Sequence, residues 1–216
     1  MQELVKRYYF VIPIVAVIAS AVLAQDLKQP IVDVLNAGDT TRAIDLLKKE
    51  IEVDKGYYVN YYTLGQIYFK REQYAEAKEQ FKLALDKKSR HWESLYGLGL
   101  SYLKLNQLDS AQKTFEEGRK KARAERYMFE NGYGLVMMAR QQYADADKAF
   151  RQAIIGDSTN AEYLINLGDA NLKQGVSSLA ASYYERAIKF DTASSEVYYH
   201  WAEACLELKD YQCAID

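Results

Sequence analysis

The sequence is short of the residues that interrupt helices and of those that carry out metal or thiol chemistry. Its 216 residues include two prolines, two histidines and two cysteines. Because proline breaks a helix interior, so low a number favours an almost entirely helical chain. His91 falls in a turn and is expected to be solvated, and the sequence has no Cys/His cluster at metal-ligand spacing and no glycine-rich phosphate loop. We therefore predict no catalytic residue, no cofactor site and no metal site, and the chain is not expected to be an enzyme.

An excess of charge of either sign is also absent. The formal net charge is −2, whereas a nucleic-acid-binding chain normally carries a basic stripe. One short basic cluster, Arg119 to Lys121, is predicted to be a solvated helix end, where positive charge is favourable beside the helix dipole. No nucleic-acid partner is expected.

The long apolar run of the sequence lies at its N-terminus, over residues 8–24, directly after Lys6 and Arg7. Small residues stand at the −3 and −1 positions of a cut after Ala24, which is the arrangement of a secretory signal peptide. The run is also at the lower limit of a membrane span, so residues 1–24 are either a cleaved signal peptide or an N-terminal membrane anchor. Both alternatives export the rest of the chain to the periplasm or another extracytoplasmic compartment. Contact with the inner membrane is expected only through residues 8–24, if they are retained.

The remainder of the chain repeats one pattern of 34 residues, which is clearest in 58–91. With Tyr58 as position 1, Leu64, Gly65 and Tyr68 fall on one face of a first helix. Ala77, Phe81 and Ala84 fall on one face of a second helix, and the short turn between them makes the two helices antiparallel. The small residues Gly65 and Ala77 predict a close approach of the two helices, with the Phe81 ring beside it.

Matching residues recur at the same spacing along the chain. The further copies cover 92–126, 127–160, 161–194 and 195–216, the last of them incomplete, and a degenerate copy covers 24–57. In the degenerate copy Pro30 predicts a late helix start. A two-helix unit cannot bury its apolar face alone, so the copies must stack.

The Leu-Gly pair at positions 7 and 8, the aromatic residue at 11, and the small, aromatic and Ala residues at 20, 24 and 27 resemble the tetratricopeptide repeat (TPR) family. The resemblance covers residues 25–216. It implies an all-α fold, a right-handed α-solenoid of antiparallel helix pairs (a TPR superhelix) with about six repeats of 34 residues. The family's proline near position 32 is absent, and Asn160 and Ser194 are expected to cap the next helices instead.

The resemblance also implies that positions 2, 5, 6, 9, 12 and 13 of each first helix line a concave groove that binds partner proteins. We call this set of positions the groove face. Its predicted binding residues are Tyr62, Gln66, Phe69, Tyr96, Leu100, Asn131, Leu135, Asn166, Asp169, Tyr199, His200 and Glu203.

The groove face changes in composition along the chain. It is aromatic and aliphatic in repeats two to four and largely acidic in repeats five and six. An extended or helical protein segment with apolar anchors and a basic end would fit such a surface better than an acidic tail. Tyr62, Tyr96 and Tyr199 are predicted either as anchors for that segment or as half-buried ridges between adjacent helices, and the sequence favours neither.

The function that the sequence predicts is a protein–protein interaction scaffold of the cell envelope with an assembly or adaptor role. An alternative is the recruiting arm of a longer enzyme or transporter whose active part lies beyond Asp216. Homo-oligomerisation through repeat six is a third reading. Cys205 and Cys213, also in repeat six, either form a disulfide in an oxidising compartment or are a buried and a free thiol.

Overall fold

The structure is a computed structural model that describes residues 27–191 and 195–210. The N-terminal segment 1–24, as well as Ser194 and Cys213, lies outside the described residues. Within the described ranges every regular element is a helix, and the helices in chain order are α1 (Gln29–Asn36), α2 (Thr40–Val53), α3 (Tyr58–Lys70), α4 (Tyr74–Lys87), α5 (Trp92–Lys104), α6 (Leu108–Lys121), α7 (Arg126–Ala139), α8 (Tyr143–Gly156), α9 (Ala161–Lys173), α10 (Ser177–Phe190) and α11 (Ser195–Glu207). The all-α prediction is confirmed. None of these described helices is long and apolar enough to cross a membrane.

The helices belong to two compact units that divide within α6, at residues 114 and 115. In the first unit α1 packs against α2, α2 against α3, α3 against α4 and α4 against α5. In the second unit α7 to α11 pack in the same consecutive order. A first helix also touches the next first helix, as α3 does α5 and α9 does α11. The predicted arrangement in consecutive helix pairs is confirmed.

Close packing within a pair depends on a glycine of the first helix and an aromatic ring of the second. A Cβ atom at Gly65 would stand 2.7 Å from the Phe81 ring. A Cβ atom at Gly134 would stand 2.5 Å from the Phe150 ring in the same way. Since any larger residue would push the ring away, the glycine at position 8 sets the distance between the helices. The close approach predicted for Gly65 is therefore confirmed.

The turn inside each pair has one backbone geometry at position 15 of all six repeats. The residues with positive φ, between 57° and 76°, are Gly38, Glu72, Asn106, Gln141, Gly175 and Lys209. The N–H of the next residue donates to the C=O five residues back, for example from Gln73 to Tyr68 at 2.9 Å. This bond is the long one of a Schellman motif, which closes the first helix and starts the second.

The family's proline is absent from the repeats, and in two of them a side chain caps the N-terminus of the first helix. Asn160 Oδ1 accepts a hydrogen bond from the Tyr163 N–H at 3.3 Å, so the predicted cap of α9 is confirmed. His91 caps α5, with Nδ1 accepting from the Ser94 N–H at 3.3 Å. The expectation that His91 is solvated is wrong, because the Tyr58 and Tyr62 rings lie 4.7 Å away and leave it 6% exposed.

Candidate protein-binding surface

The groove-face side chains of the first unit are mostly buried. Tyr62 and Gln66 are each 3% exposed on α3, Phe69 and Tyr96 are also buried, and Leu100 is half-buried. Gln66 Nε2 donates to the Tyr62 hydroxyl at 2.7 Å. Burial raises the pKa of Tyr62, and the negative charge of Glu93 acts in the same direction. This hydroxyl therefore stays protonated, and the side chains of this part of the groove face are held in place with little surface exposed.

A pair of amides joins two first helices of the second unit. Asn166 Nδ2 on α9 donates to Asn131 Oδ1 on α7 at 3.0 Å, and both side chains are buried. Leu135, one turn beyond Asn131, is buried as well. Burial raises the pKa of Glu162 to about 7, and the nearby Asn131 amide opposes that rise. The sequence pattern thus brings Asn131 and Asn166 into contact, beside a carboxyl group whose pKa is raised by burial.

Asp169 connects three helices of the second unit. Its Oδ1 accepts a hydrogen bond from the Tyr184 hydroxyl on α10 at 2.6 Å and lies 3.2 Å from His200 Nδ1 on α11. The structure therefore brings together Asp169 and His200, both predicted as binding residues. Tyr184 is the aromatic residue at position 24 of its repeat, so the spacing predicts that its ring packs in the core but does not predict a partner for its hydroxyl.

The open part of the groove face lies on α11. A cavity of about 440 Å³ is lined by Tyr199, Ala202, Glu203, Leu206 and Glu207. Tyr199 is 59% exposed and Leu206 is 54% exposed. Glu203 has neither a hydrogen bond nor an ion pair within the described part of the chain. The cavity thus combines apolar surface with an uncompensated carboxylate. We call it the repeat-six cavity.

One wall of the repeat-six cavity is held from the neighbouring helix. Glu207 Oε2 accepts a hydrogen bond from Ser177 Oγ on α10 at 2.6 Å. Ser177 is a positioning residue that the sequence pattern missed, because it lies on a second helix, outside the groove face. Among the twelve predicted binding residues only Tyr199 is exposed, while Leu100, His200 and Glu203 are half-buried.

Among the described residues, no group of three or more His, Cys, Asp or Glu side chains is arranged to hold a metal ion. Cys205 is buried and disulfide-bonded, so the alternative in which it is only a buried core residue is wrong. The other cysteine of the sequence, Cys213, lies beyond the last described residue.

The repeats also match a known family. The family model described as tetratricopeptide repeat matches residues 62–125 and 134–197. The chain therefore belongs to the tetratricopeptide repeat family, whose fold is that of a protein-interaction scaffold and is typically non-catalytic.

Solved structures of other proteins share the fold over most of the chain. PilW, described as a widely conserved type IV pilus biogenesis factor, is 15% identical, with 91% of this chain and 90% of PilW covered at a TM-score of 0.80. PilF of Pseudomonas aeruginosa is 19% identical, with 87% of this chain and 85% of PilF covered at a TM-score of 0.74. YrrB, described as a TPR protein with an unusual peptide-binding site, is 20% identical, with 81% of this chain and 92% of YrrB covered at a TM-score of 0.59. At these identities the likeness shows the fold alone.

A curated relative matches a shorter stretch. Protein bimA of Emericella nidulans is 28% identical over 82 residues, which is 38% of this chain. The match spans 10% of the length of bimA. It adds no argument about the function of this chain.

Proposed function

We propose that this chain is an exported scaffold of the cell envelope that binds segments of partner proteins on its groove face. The repeat-six cavity is the anchoring site in this proposal. The observation that carries it is the exposure of Tyr199 and Leu206 beside the unpaired carboxylate of Glu203. Large apolar side chains are costly to leave in water, and their clustering beside a polar group is typical of interaction sites.

The lining of the repeat-six cavity indicates the chemistry of the ligand. A cavity of about 440 Å³ accepts one or two side chains of a peptide. Tyr199 and Leu206 would flank an apolar anchor, and tyrosine provides contact area at a low cost in conformational entropy. Glu203 would pair with a Lys or Arg of the same segment, since a carboxylate that loses water needs an opposite charge. The expected ligand is thus a segment with an apolar anchor next to a basic residue.

The cell-envelope part of the proposal rests on two supports. Residues 1–24 have the pattern of a signal peptide or membrane anchor. PilW, a protein of similar fold, is described as a type IV pilus biogenesis factor, which is an assembly role of the kind proposed here. A different part of the proposal, the binding of peptide segments, is supported by YrrB, a protein of similar fold that is described as having an unusual peptide-binding site.

A selection of phage-displayed peptides against the purified chain would test the anchoring site. We expect enriched peptides to carry a large apolar residue beside Lys or Arg. The variant Tyr199→Ala should weaken their binding by about tenfold or more, because loss of a central aromatic anchor costs well over 1 kcal/mol. Glu203→Gln should weaken only the peptides that contain the basic residue.

The matched control is Tyr198→Ala, which removes a 40% exposed tyrosine from the same helix outside the cavity. It should leave peptide affinity within about twofold of wild type. Equal losses in the two tyrosine variants would refute the anchoring site. Light scattering tests whether the ligand of the repeat-six cavity is a second copy of the chain. If the chain self-associates and Tyr199→Ala abolishes that association, a second copy and not a partner segment occupies the cavity.

A further inference from the structure

A second cavity, outside the groove face, lies where α6 ends and α7 begins. It has a volume of about 730 Å³ and is lined by Glu116, Arg119, Lys120, Arg123 and Arg126. All five residues belong to the second compact unit. Residues 119–121 were predicted to be a solvated helix end, but Arg123 in the turn after α6 and Arg126 at the start of α7 belong to the same concave surface. We call this the basic cavity.

A buried carboxylate holds two of its arginines. Glu130, 2% exposed on α7, accepts with Oε1 a hydrogen bond from the Nε–H of Arg126 at 3.1 Å. The same oxygen forms an ion pair with Arg119, whose Nε lies 3.0 Å away. The Arg119 guanidinium also lies 4.8 Å from the centre of the Tyr133 ring. Because both arginines use Nε for Glu130, their terminal amino groups can still donate to another acceptor. The two groups are therefore oriented before a ligand binds, which lowers the entropy lost on binding.

The basic cavity carries a surplus of positive charge. Lys120 and Arg123 are exposed and have no ion-pair partner among the described residues. Against the four cations of the lining stand the carboxylates of Glu116 and Glu130, which leaves two positive charges uncompensated. The chain as a whole has a formal charge of −2, so this positive surface is local.

We propose that the basic cavity is a docking site for an acidic protein segment with at least two neighbouring Asp or Glu residues. Guanidinium groups with free terminal nitrogens bind carboxylates through two parallel hydrogen bonds, which suits Arg119 and Arg126. The two uncompensated charges match two carboxylates of the ligand. A concave surface admits side chains of a peptide, whereas a flat anionic bilayer would reach only its rim. An extended polyanion such as nucleic acid would also meet the net negative charge of the rest of the chain.

Fluorescence anisotropy with a labelled oligoglutamate peptide tests this assignment on the full chain. We expect the peptide to bind wild type at low salt and to dissociate at about 1 M salt, where the Debye length is about 3 Å. The double variant K120E/R123E should weaken binding at low salt by at least about tenfold, since it removes two charge-assisted contacts. Both positions are exposed, so circular dichroism should show an unchanged helix content.

The matched control is K48E/K49E, which makes the same change in net charge at two exposed lysines of α2. It should change the affinity by less than about twofold, because neither lysine belongs to the lining of the basic cavity. Equal losses in the two double variants, or no binding of oligoglutamate by wild type, would overturn the proposal. A parallel sedimentation assay with phosphatidylglycerol vesicles tests the alternative of a lipid surface. If the chain binds these vesicles but not oligoglutamate, and K120E/R123E abolishes the binding to vesicles, the cavity is a lipid-binding site and the proposal is wrong.

Discussion

His91 is the residue at which helix capping, ring packing and ionisation meet. Its Nδ1 accepts from the Ser94 N–H, so the proton of the neutral ring lies on Nε2, 3.1 Å from Glu93 Oε2. The neutral ring thus satisfies the groups at both of its nitrogens. Burial lowers the pKa of His91 to about 4, and the positive charge of Lys88 acts in the same direction. The folded chain therefore holds this histidine unprotonated at neutral pH.

The depressed pKa of His91 predicts a dependence of stability on pH. Between about pH 4 and about pH 6.5 the unfolded chain binds a proton here that the folded chain does not, so the free energy of unfolding should rise with pH across this window and then level off. His91→Asn removes the titrating group and keeps a good N-cap acceptor. Urea unfolding at about pH 5 and about pH 8 should show a smaller difference for the variant than for wild type. The same pH dependence in both proteins would show that His91 has an ordinary pKa.

Helix ends carry structural information that the hydrophobic pattern of the sequence lacks. The pattern places Gly65 against Phe81, because both lie on the packing faces set by a helical period. It gives no sign that position 15 needs a positive φ, since Glu72 and Gln141 occupy it as well as glycine. The conformation is imposed by the turn that joins two packed helices, so tertiary structure overrides the local preference of the residue.

The turn after α9 gives the clearest test of that geometry. Gly175 has a φ of 76°, and no atom lies within 4 Å of a Cβ atom built at this position. Gly175→Ala should therefore destabilise the chain by about 1–2 kcal/mol through backbone conformation alone. Gly175→Asn should cost less, because asparagine adopts this conformation more easily than alanine. Urea unfolding of the two variants measures the difference, and equal losses would mean that contacts and not φ set the cost.

At the scale of the whole molecule, the sequence predicts which side of a helix a residue occupies but not how open that side is. Tyr62 and Tyr199 share position 5 of their repeats, yet one is 3% exposed and the other 59%. The repeat period is the same for both, and only the packed neighbours of each repeat decide the exposure. The basic cavity could not be predicted from the sequence for a similar reason. Its shape depends on Glu130, a buried partner whose role no local charge pattern reveals.

Two candidate sites of opposite charge in one chain raise the question of coupling between them. The repeat-six cavity would take a basic segment and the basic cavity an acidic one, and they share no lining residue. Groups in separate sites without common partners usually act additively, within about 0.5 kcal/mol. We therefore expect Tyr199→Ala to leave oligoglutamate affinity unchanged, and K120E/R123E to leave the affinity of a selected peptide unchanged. A combined variant should show the sum of the two losses. If each ligand instead shifts the affinity for the other, the two sites are linked and the shifts must be equal, because a coupling free energy is reciprocal.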